Sequence, residues 1–332
     1  MRIVHSAIVT PRLCGLYETT RDLVAAERKL GVDARIFNPL PEGDPKLKHQ
    51  PKGPEDRGVP LCGPDWAAAA DLVVSHSGHD GTVLSDTKQP VIHVAHGRPV
   101  STFIGQRKGE APVYSYALNR RRDPRYRACV TFWPEHEPYH RTLWAPKPVH
   151  VVPPPCDTSF WSPGETRYDF AGRKAAYNVV LADPWSRDDV SPILAVHAFA
   201  LFRAMVPEAR LHVYGLDGNT RGLDAVKAML GDGLGVIQGW ASDLRTVYRA
   251  ADMLVTPHRI WTRALRESMA CGVQTVSGRD ANPEDLEAFA YAMAKRRDEP
   301  MPARRMAEAM FDPEASARKF LGYCEAALKE AA

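Results

Sequence analysis

The sequence predicts an α/β protein of two domains, each built on a parallel sheet. Three observations carry that reading. Short apolar runs alternate with segments of helical periodicity in both halves of the chain. A proline-rich break, VVPPPCDTSFWSP at residues 151–163, separates the halves. Residues 253–276 read as strand, loop, helix and strand, which is the βαβ unit of a parallel sheet. At 332 residues the chain also exceeds what one hydrophobic core usually organises.

In the first half, residues 2–9 form an apolar strand and residues 10–15 a loop. A helix over 19–30 follows, with Leu23, Val24, Ala26 and Leu30 at helical spacing; Gly31 stops it and residues 34–37 make the next strand. Residues 38–64, rich in Pro, Gly and charge, are expected as an irregular surface loop. A short helix over 66–70 leads into the buried strand 71–75, which ends at His76, with Gly78 and His79 beyond. The strand 90–95 ends at His96-Gly97, so two strands of one sheet place histidines at the same rim. A strand over 128–132 and a helix over 135–143 complete this half. Just before them, residues 120–127 hold five arginines, with Tyr126 among them. Arg120, Arg121, Arg122 and Arg125 suit an anionic acceptor such as DNA, RNA, phospholipid or a teichoic-type polymer. A solvated basic loop is the alternative.

Strand 149–152 runs into Pro153, Pro154 and Pro155, which sets the domains at 1–155 and 156–312, with a terminal helix in 313–332. The parallel pattern then restarts. Strands are expected at 178–182, 211–214 (ending at Gly215), 235–238 (ending at Gly239-Trp240), 253–255 and 273–276. Helices fall at 191–202, 223–230, 244–250, 283–295 and 313–328, and Gly272 terminates the helix between the last two strands. The last helix carries Ala317, Phe320, Leu321 and Cys324 on one face. Repeated βα units with short loops make each domain Rossmann-like. Neither half has GxGxxG after its first strand, which weighs against a dinucleotide oxidoreductase.

Composition excludes several classes. An apolar content of 44% and a charged content of 25% are ordinary for a soluble protein, and a net charge of +3 does not by itself indicate nucleic acid. The 28 prolines imply long ordered connections. Cysteines 14, 62, 129, 156, 271 and 324 lack CxxC or zinc-finger spacing and read as buried thiols in a reducing cytoplasm. The N-terminal residues read as a strand, not a signal peptide, and no apolar run approaches a membrane span, so the protein is expected in the cytoplasm. His76, His79, His93 and His96 lack the cysteine or carboxylate pattern of a zinc site, and no cofactor is expected.

The strongest functional signal is the helix entered from the loop at 256–262. Its start offers unpaired N–H groups and a positive dipole end to an anion. Glu267 lies a little over one turn inside, placed to accept hydrogen bonds from sugar hydroxyls behind a bound phosphate. That combination suggests a nucleotide-sugar site, although spacing alone favours a solvated helix carboxylate.

The phrase Glu267-Ser268-Met269-Ala270-Cys271-Gly272 resembles the E-A-M-A-C-G signature of family-4 glycosyltransferases of the GT-B fold. That family places a first Glu eight residues before the second, followed by Gly-Phe-Gly; here Arg259 and then Ile260-Trp261-Thr262 stand there. The resemblance implies that Glu267 holds the donor ribose and that Arg259 meets a phosphate or an acidic sugar, with His258 and Thr262 also on the donor side. The strand ends at His76 and His96 resemble the family's D-V-V-H-x-H and T-x-H-G segments. They imply His96 beside the reacting sugar, as the catalytic residue, and His76 on the acceptor side. Gly15 stands in the family's diphosphate loop, with Cys14 where the first of two glycines is usual. Arg187 is the only cation of the 183–190 loop, where the family has Arg and Lys. Gly215 and Trp240 complete the implied donor site, Trp240 stacking on the base. The PPP break resembles the family's interdomain crossing, and the last helix its return to the first domain.

The resemblance thus implies two Rossmann-like domains facing across a cleft. It further implies metal-independent, retaining transfer from a nucleotide diphosphate-sugar to a hydroxyl acceptor. Two rivals remain: a transferase that glycosylates hydroxylated DNA bases, and a degenerate nucleotide- or polymer-binding protein without turnover.

Overall fold

A computed structural model of the chain describes residues 1–9, 15–40, 55–56, 58–76, 88–96, 120–170, 175, 177–185, 190–215, 223–239, 241 and 243–330. The chain divides into two compact units, Met1–Pro155 with Phe311–Ala332, and Cys156–Met310.

The first unit holds β1 (Arg2–Ser6), β2 (Asp33–Phe37), β3 (Glu55–Asp56), β4 (Val59–Cys62), β5 (Leu72–His76), β6 (Val91–Ala95), β7 (Tyr126–Thr131) and β8 (Val149–Val151). Their order in the sheet is β3-β4-β2-β1-β5-β6-β7-β8. Every pairing is parallel except β3 with β4. The carboxyl ends of the parallel strands therefore share one edge. Strands β5 and β6 are buried along their whole length, as expected of strands covered on both faces.

Helix α1 spans Gly15–Lys29 and starts four residues ahead of the expected position. The extra turn accommodates Thr19 and Thr20 because their hydroxyls donate to the carbonyls of Gly15 (2.7 Å) and Leu16 (3.0 Å). Short helices α2 (Pro64–Ala68) and α3 (Glu137–Trp144) follow, and Trp144 closes a core with Val4, Val73, Tyr126 and Cys129.

Residues 38–64 are not wholly irregular, because β4 joins β2 in parallel and β3 folds back on it. Pro60 hid this strand in the sequence. A proline is tolerated there because only a two-residue strand lies beyond it.

The second unit carries β9 (Tyr177–Ala182), β10 (Ala209–Tyr214), β11 (Leu234–Gln238), β12 (Met253–Thr256) and β13 (Gln274–Ser277). They form one fully parallel sheet in the order β11-β10-β9-β12-β13. Its helices are α4 (Ile193–Met205), α5 (Leu223–Leu230), α6 (Leu244–Ala250), α7 (Arg263–Ala270), α8 (Leu286–Asp298) and α9 (Ala303–Met310). Phe199 and Phe202 of α4 pack with Leu211, Val255, Val276, Phe289 and Met293 around the sheet. Burying each phenylalanine stabilises the unit by about 2–3 kcal/mol.

Carboxylate caps fix the helix starts. Asp243 accepts from Arg245 N–H (2.9 Å), and Asp285 accepts from Ala288 N–H (3.0 Å). The second cap moves the start of α8 three residues past the expected 283. Gly272, at φ +88°, ends α7 in the left-handed conformation that favours glycine. Helix α9 was not expected. Its Arg304 donates to the carbonyls of Thr158, Trp161 and Ala270 (2.8, 2.8 and 2.6 Å), a tertiary clamp that no local pattern announces.

The chain ends in α10 (Pro313–Lys329), whose cap Asp312 accepts from Glu314 N–H (2.9 Å). It belongs to the first unit, burying Ala317, Phe320, Leu321 and Cys324. Ser316 Oγ donates to Pro153 O (2.8 Å), and the Phe320 ring lies 6.1 Å from that of His5. Cys129, Cys156, Cys271 and Cys324 are buried, whereas Cys62 is half-buried and departs from the expectation; Cys14 lies outside the described residues. No helix among the described residues is long and apolar enough to cross a membrane.

Candidate functional site

In the second unit the carboxyl ends of all five parallel strands share one edge of the sheet. Gly215 joins the residues that follow β9, β10 and β11. Its N–H donates to Gly239 O (2.7 Å), its carbonyl accepts from Trp185 N–H (3.2 Å), and its φ is +95°. A Cβ there would lie 2.2 Å from Asp183 O, so only glycine lets the loops after β9 and β10 meet. Next to it, His258 is buried, with Nε2 3.6 Å from Asp183 Oδ1 and its N–H donating to Thr256 Oγ1 (3.3 Å).

Helix α7 starts from this edge. Thr262 caps it, its hydroxyl accepting from Leu265 N–H (3.4 Å) and its carbonyl from Arg266 N–H (3.1 Å). Glu267 is only 4% exposed, and its Oε1 accepts from Arg263 Nε at 2.5 Å. It is therefore no solvated helix carboxylate. Burial and then the Glu267 charge push the Tyr248 phenol well above its ordinary range. Arg259 is exposed; it donates to Asn282 Oδ1 (2.6 Å), and its carbonyl accepts from Arg279 Nη1 (3.3 Å). The Arg279 guanidinium lies 4.7 Å over Trp261. The structure thus brings Gly215, His258, Arg259, Thr262 and Glu267 to one sheet edge, while Arg187 and Trp240 lie outside the described residues. A recess lined by Arg210, Lys227, Asp232 and Leu234 sits instead by the amino ends of β10 and β11 and takes no part.

In the first unit Gly15 heads α1, after the loop that leaves β1. The register of β1, β5 and β6 pairs His5 with Val74 and His76 with Val94. Side chains alternate along a strand, so His5, His76 and His96 share one face, while His93 lies on the other and stacks on Trp144 with centroids 5.1 Å apart. His96 Nε2 lies 2.7 Å from His76 Nδ1, His76 Nε2 3.0 Å from His5 Nδ1, and His5 Nε2 2.9 Å from Glu27 Oε2. Thr20 Oγ1 lies 3.2 Å from His76 Nδ1. Burial, with His96, His5 and His93 nearby, holds His76 well below the usual histidine range.

His76 is fully buried, so it stands behind His96 and does not meet an acceptor itself. His96 is half-buried, its carbonyl accepting from Trp133 Nε1 (3.3 Å) and its ring meeting Phe132 edge-on at 5.1 Å. Sequence reasoning passed over His5 and Glu27. Their only signal was a histidine in an apolar strand and a glutamate among the buried positions of α1.

The arginine-rich stretch requires a correction. Arg125 O accepts from Val91 N–H (2.8 Å), which puts these residues at the amino ends of β6 and β7. Across a five-residue strand, that edge lies about 16 Å from the edge of His96. Arg120 is buried, 6.0 Å over Tyr126; Arg121 donates to Leu143 O (3.3 Å); Arg125 is paired with Asp123 at 2.6 Å. That pairing keeps Asp123 below the usual carboxylate range. Lys147 adds bonds to the carbonyls of Asp123 and Tyr126. Of the four arginines proposed for an acceptor, only Arg122 is exposed. The stretch is an internally paired corner, not a partner of His96.

No curated protein sequence matches this chain. Among solved structures it is similar to the α,α-trehalose 6-phosphate synthase of Burkholderia multivorans, at 12% identity over 99% of each chain with a TM-score of 0.65. It is similar to the pneumococcal O-GlcNAc transferase GtfA, solved with UDP and GlcNAc, at 11% identity over 99% of each chain with a TM-score of 0.63. It is also similar to the UDP-GlcNAc 2-epimerase of Neisseria meningitidis bound to UDP-GlcNAc, at 10% identity over 99% of this chain and 100% of that one, with a TM-score of 0.56. At such identities the likeness is one of fold, and the fold is GT-B. Residues 191–310 match the family described as Glycosyl transferases group 1. The second unit therefore carries a glycosyltransferase domain, and the protein is a glycosyltransferase.

Proposed function

We propose that the protein moves a sugar from a uridine diphosphate-sugar to a hydroxyl acceptor, with residues 156–312 as the donor domain and the remainder as the acceptor domain. The observation that carries this reading is the start of α7, capped by Thr262 at the carboxyl edge of a parallel sheet, with the buried carboxylate of Glu267 one turn behind. An amide-lined helix start suits a diphosphate, and a fixed carboxylate beyond it suits the hydroxyls of a ribose. The choice of uridine rests on similar folds solved with UDP or UDP-GlcNAc.

In this reading Arg259 and the α7 amides supply the positive charge that the leaving diphosphate needs, without a metal. Arg187 is proposed for the diphosphate and Trp240 for the base, and Gly15 is a further candidate for donor binding. His96 serves the acceptor side. Retention of the anomeric configuration follows the family resemblance. Buried thiols suit work in a reducing cytoplasm. The corner at residues 120–127 lends no support to a nucleic-acid acceptor.

A thermal-shift panel of UDP, GDP, ADP and their sugars tests the reading. A uridine ligand at about 100 times its Kd should raise Tm by about 5 °C, since it binds only the folded protein. No shift with any nucleotide would sink it. With the responding donor, transfer in the presence of EDTA is expected to match that in its absence, and NMR of the product reads the anomeric configuration. The same spectrum separates transfer from epimerisation, the activity of one similar fold.

A further inference from the structure

We infer that the sugar carried by the donor is a uronic acid, whose carboxylate is read by Arg259 with Arg279 beside it. This rests on the reading of the α7 edge as a donor site and names the class of sugar that the site selects.

Sheet order supplies the direction. Strands β11 and β13 are the two borders of the sheet, with β10, β9 and β12 between them. The base is proposed for the β11 side and the diphosphate for the start of α7, which follows β12. The next step along the same edge is the loop after β13. Arg259, ahead of the cap Thr262, turns that way and donates to Asn282 Oδ1 (2.6 Å). Arg279, from the loop after β13, donates back to the Arg259 carbonyl (3.3 Å) and lies 4.7 Å over Trp261. The two loops close on each other because residue 278 is glycine. A Cβ there would stand 2.4 Å from Pro257 O and 2.9 Å from Arg259 Cγ. Two arginines from separate loops thus meet on the sugar side of the proposed diphosphate position.

The Arg259 charge stays uncancelled within the protein. Asn282 is a neutral amide, so it orients the guanidinium without neutralising it. Among the described residues no carboxylate pairs with Arg259. In the loop after β13, Asp280 pairs with Arg296 (2.8 Å) and accepts from Ser277 N–H (2.9 Å), and Asp285 caps α8. Both Arg259 and Arg279 are exposed at the edge.

A guanidinium only donates hydrogen bonds, and its planar fork fits the two oxygens of a carboxylate. The hydroxyls of a neutral hexose must also place their protons on acceptors, which arginine side chains do not offer. A carboxylate in place of the hydroxymethyl group only accepts. Arg259 still adds its charge to the field at the leaving diphosphate, so it serves both anions of one substrate.

Calorimetry on wild type and Arg259→Gln tests the selection, with UDP and with UDP-glucose and UDP-galactose each set against its own uronic acid. Glutamine keeps the Cγ that packs against Gly278, and the site is exposed, so the fold is preserved. Wild type should bind one UDP-uronic acid about 10-fold more tightly than the matching hexose donor, as one charge-assisted pair allows. In Arg259→Gln that preference should vanish, while UDP and the hexose donors weaken together by about threefold. Arg259→Lys keeps the charge but loses the fork, and should retain a preference of about threefold. The wild-type preference should also shrink in about 1 M salt, where charges are screened beyond about 3 Å. Equal affinity within both pairs, or an equal loss for every ligand in Arg259→Gln, would overturn the inference and leave the donor site standing. Binding of no nucleotide at all would remove the donor site as well.

Discussion

Glu267→Gln should weaken UDP binding about 100-fold while leaving thermal unfolding close to wild type. The magnitude follows from charge: a hydrogen bond to an ionised group contributes roughly 1.5–3 kcal/mol, and 2.8 kcal/mol is about 100-fold in Kd. Glutamine is the informative replacement. Arg263 is only 10% exposed and donates to Glu267 at 2.5 Å, so alanine would remove that buried pairing and confound stability with binding. The glutamine amide oxygen still accepts from Arg263 and preserves the packing of α7. Calorimetry with UDP decides; wild-type affinity in a folded variant would remove Glu267 from the donor site.

Gly215→Ala should be the most destabilising single-carbon change at the same edge, by about 2–4 kcal/mol. The left-handed backbone costs an L-residue roughly 1–2 kcal/mol, and forcing a methyl into a packed junction costs about 1–3 kcal/mol more. The methyl would stand 2.2 Å from Asp183 O, which cannot yield without moving the end of β9. Because Gly215 N–H also holds Gly239, the loops after three strands shift together. Chemical denaturation should show a lower midpoint, with UDP affinity falling in the residual folded protein. An unchanged midpoint would mean that the three loops are not coupled through this residue.

Much of this was legible from the chain. Runs such as Leu72–His76 and Val91–Ala95 announce strands covered on both faces, because only such strands can be apolar without alternation. The segment from Met253 to Ser277 declares strand, helix and strand, with Gly272 ending the helix through a preference that is local. What stayed hidden depends on three-dimensional register. The contact of His5 with His76 requires knowing that β1 and β5 are neighbours and that residue 5 pairs with residue 74. The arginines at 120–127 looked like an acceptor surface because sequence gives their number but not which end of β7 they occupy. Asp123, Tyr126 and Leu143, which engage them, are ordinary residues until the corner folds. Pro60 masked β4, and Arg304 stabilises α9 through carbonyls far away in sequence.

The first unit is assembled from both ends of the chain, and that dictates an order of biosynthesis. Residues 1–155 leave the ribosome with Phe320, whose ring packs 6.1 Å from that of His5, still about 165 residues behind. The intervening unit, Cys156–Met310, is contiguous and is finished first. Until the final helix emerges, the nascent N-terminal sheet keeps one apolar flank open to water and to chaperones. A premature stop after residue 310 would spare the unit Cys156–Met310 and leave the first unit without the cover of α10.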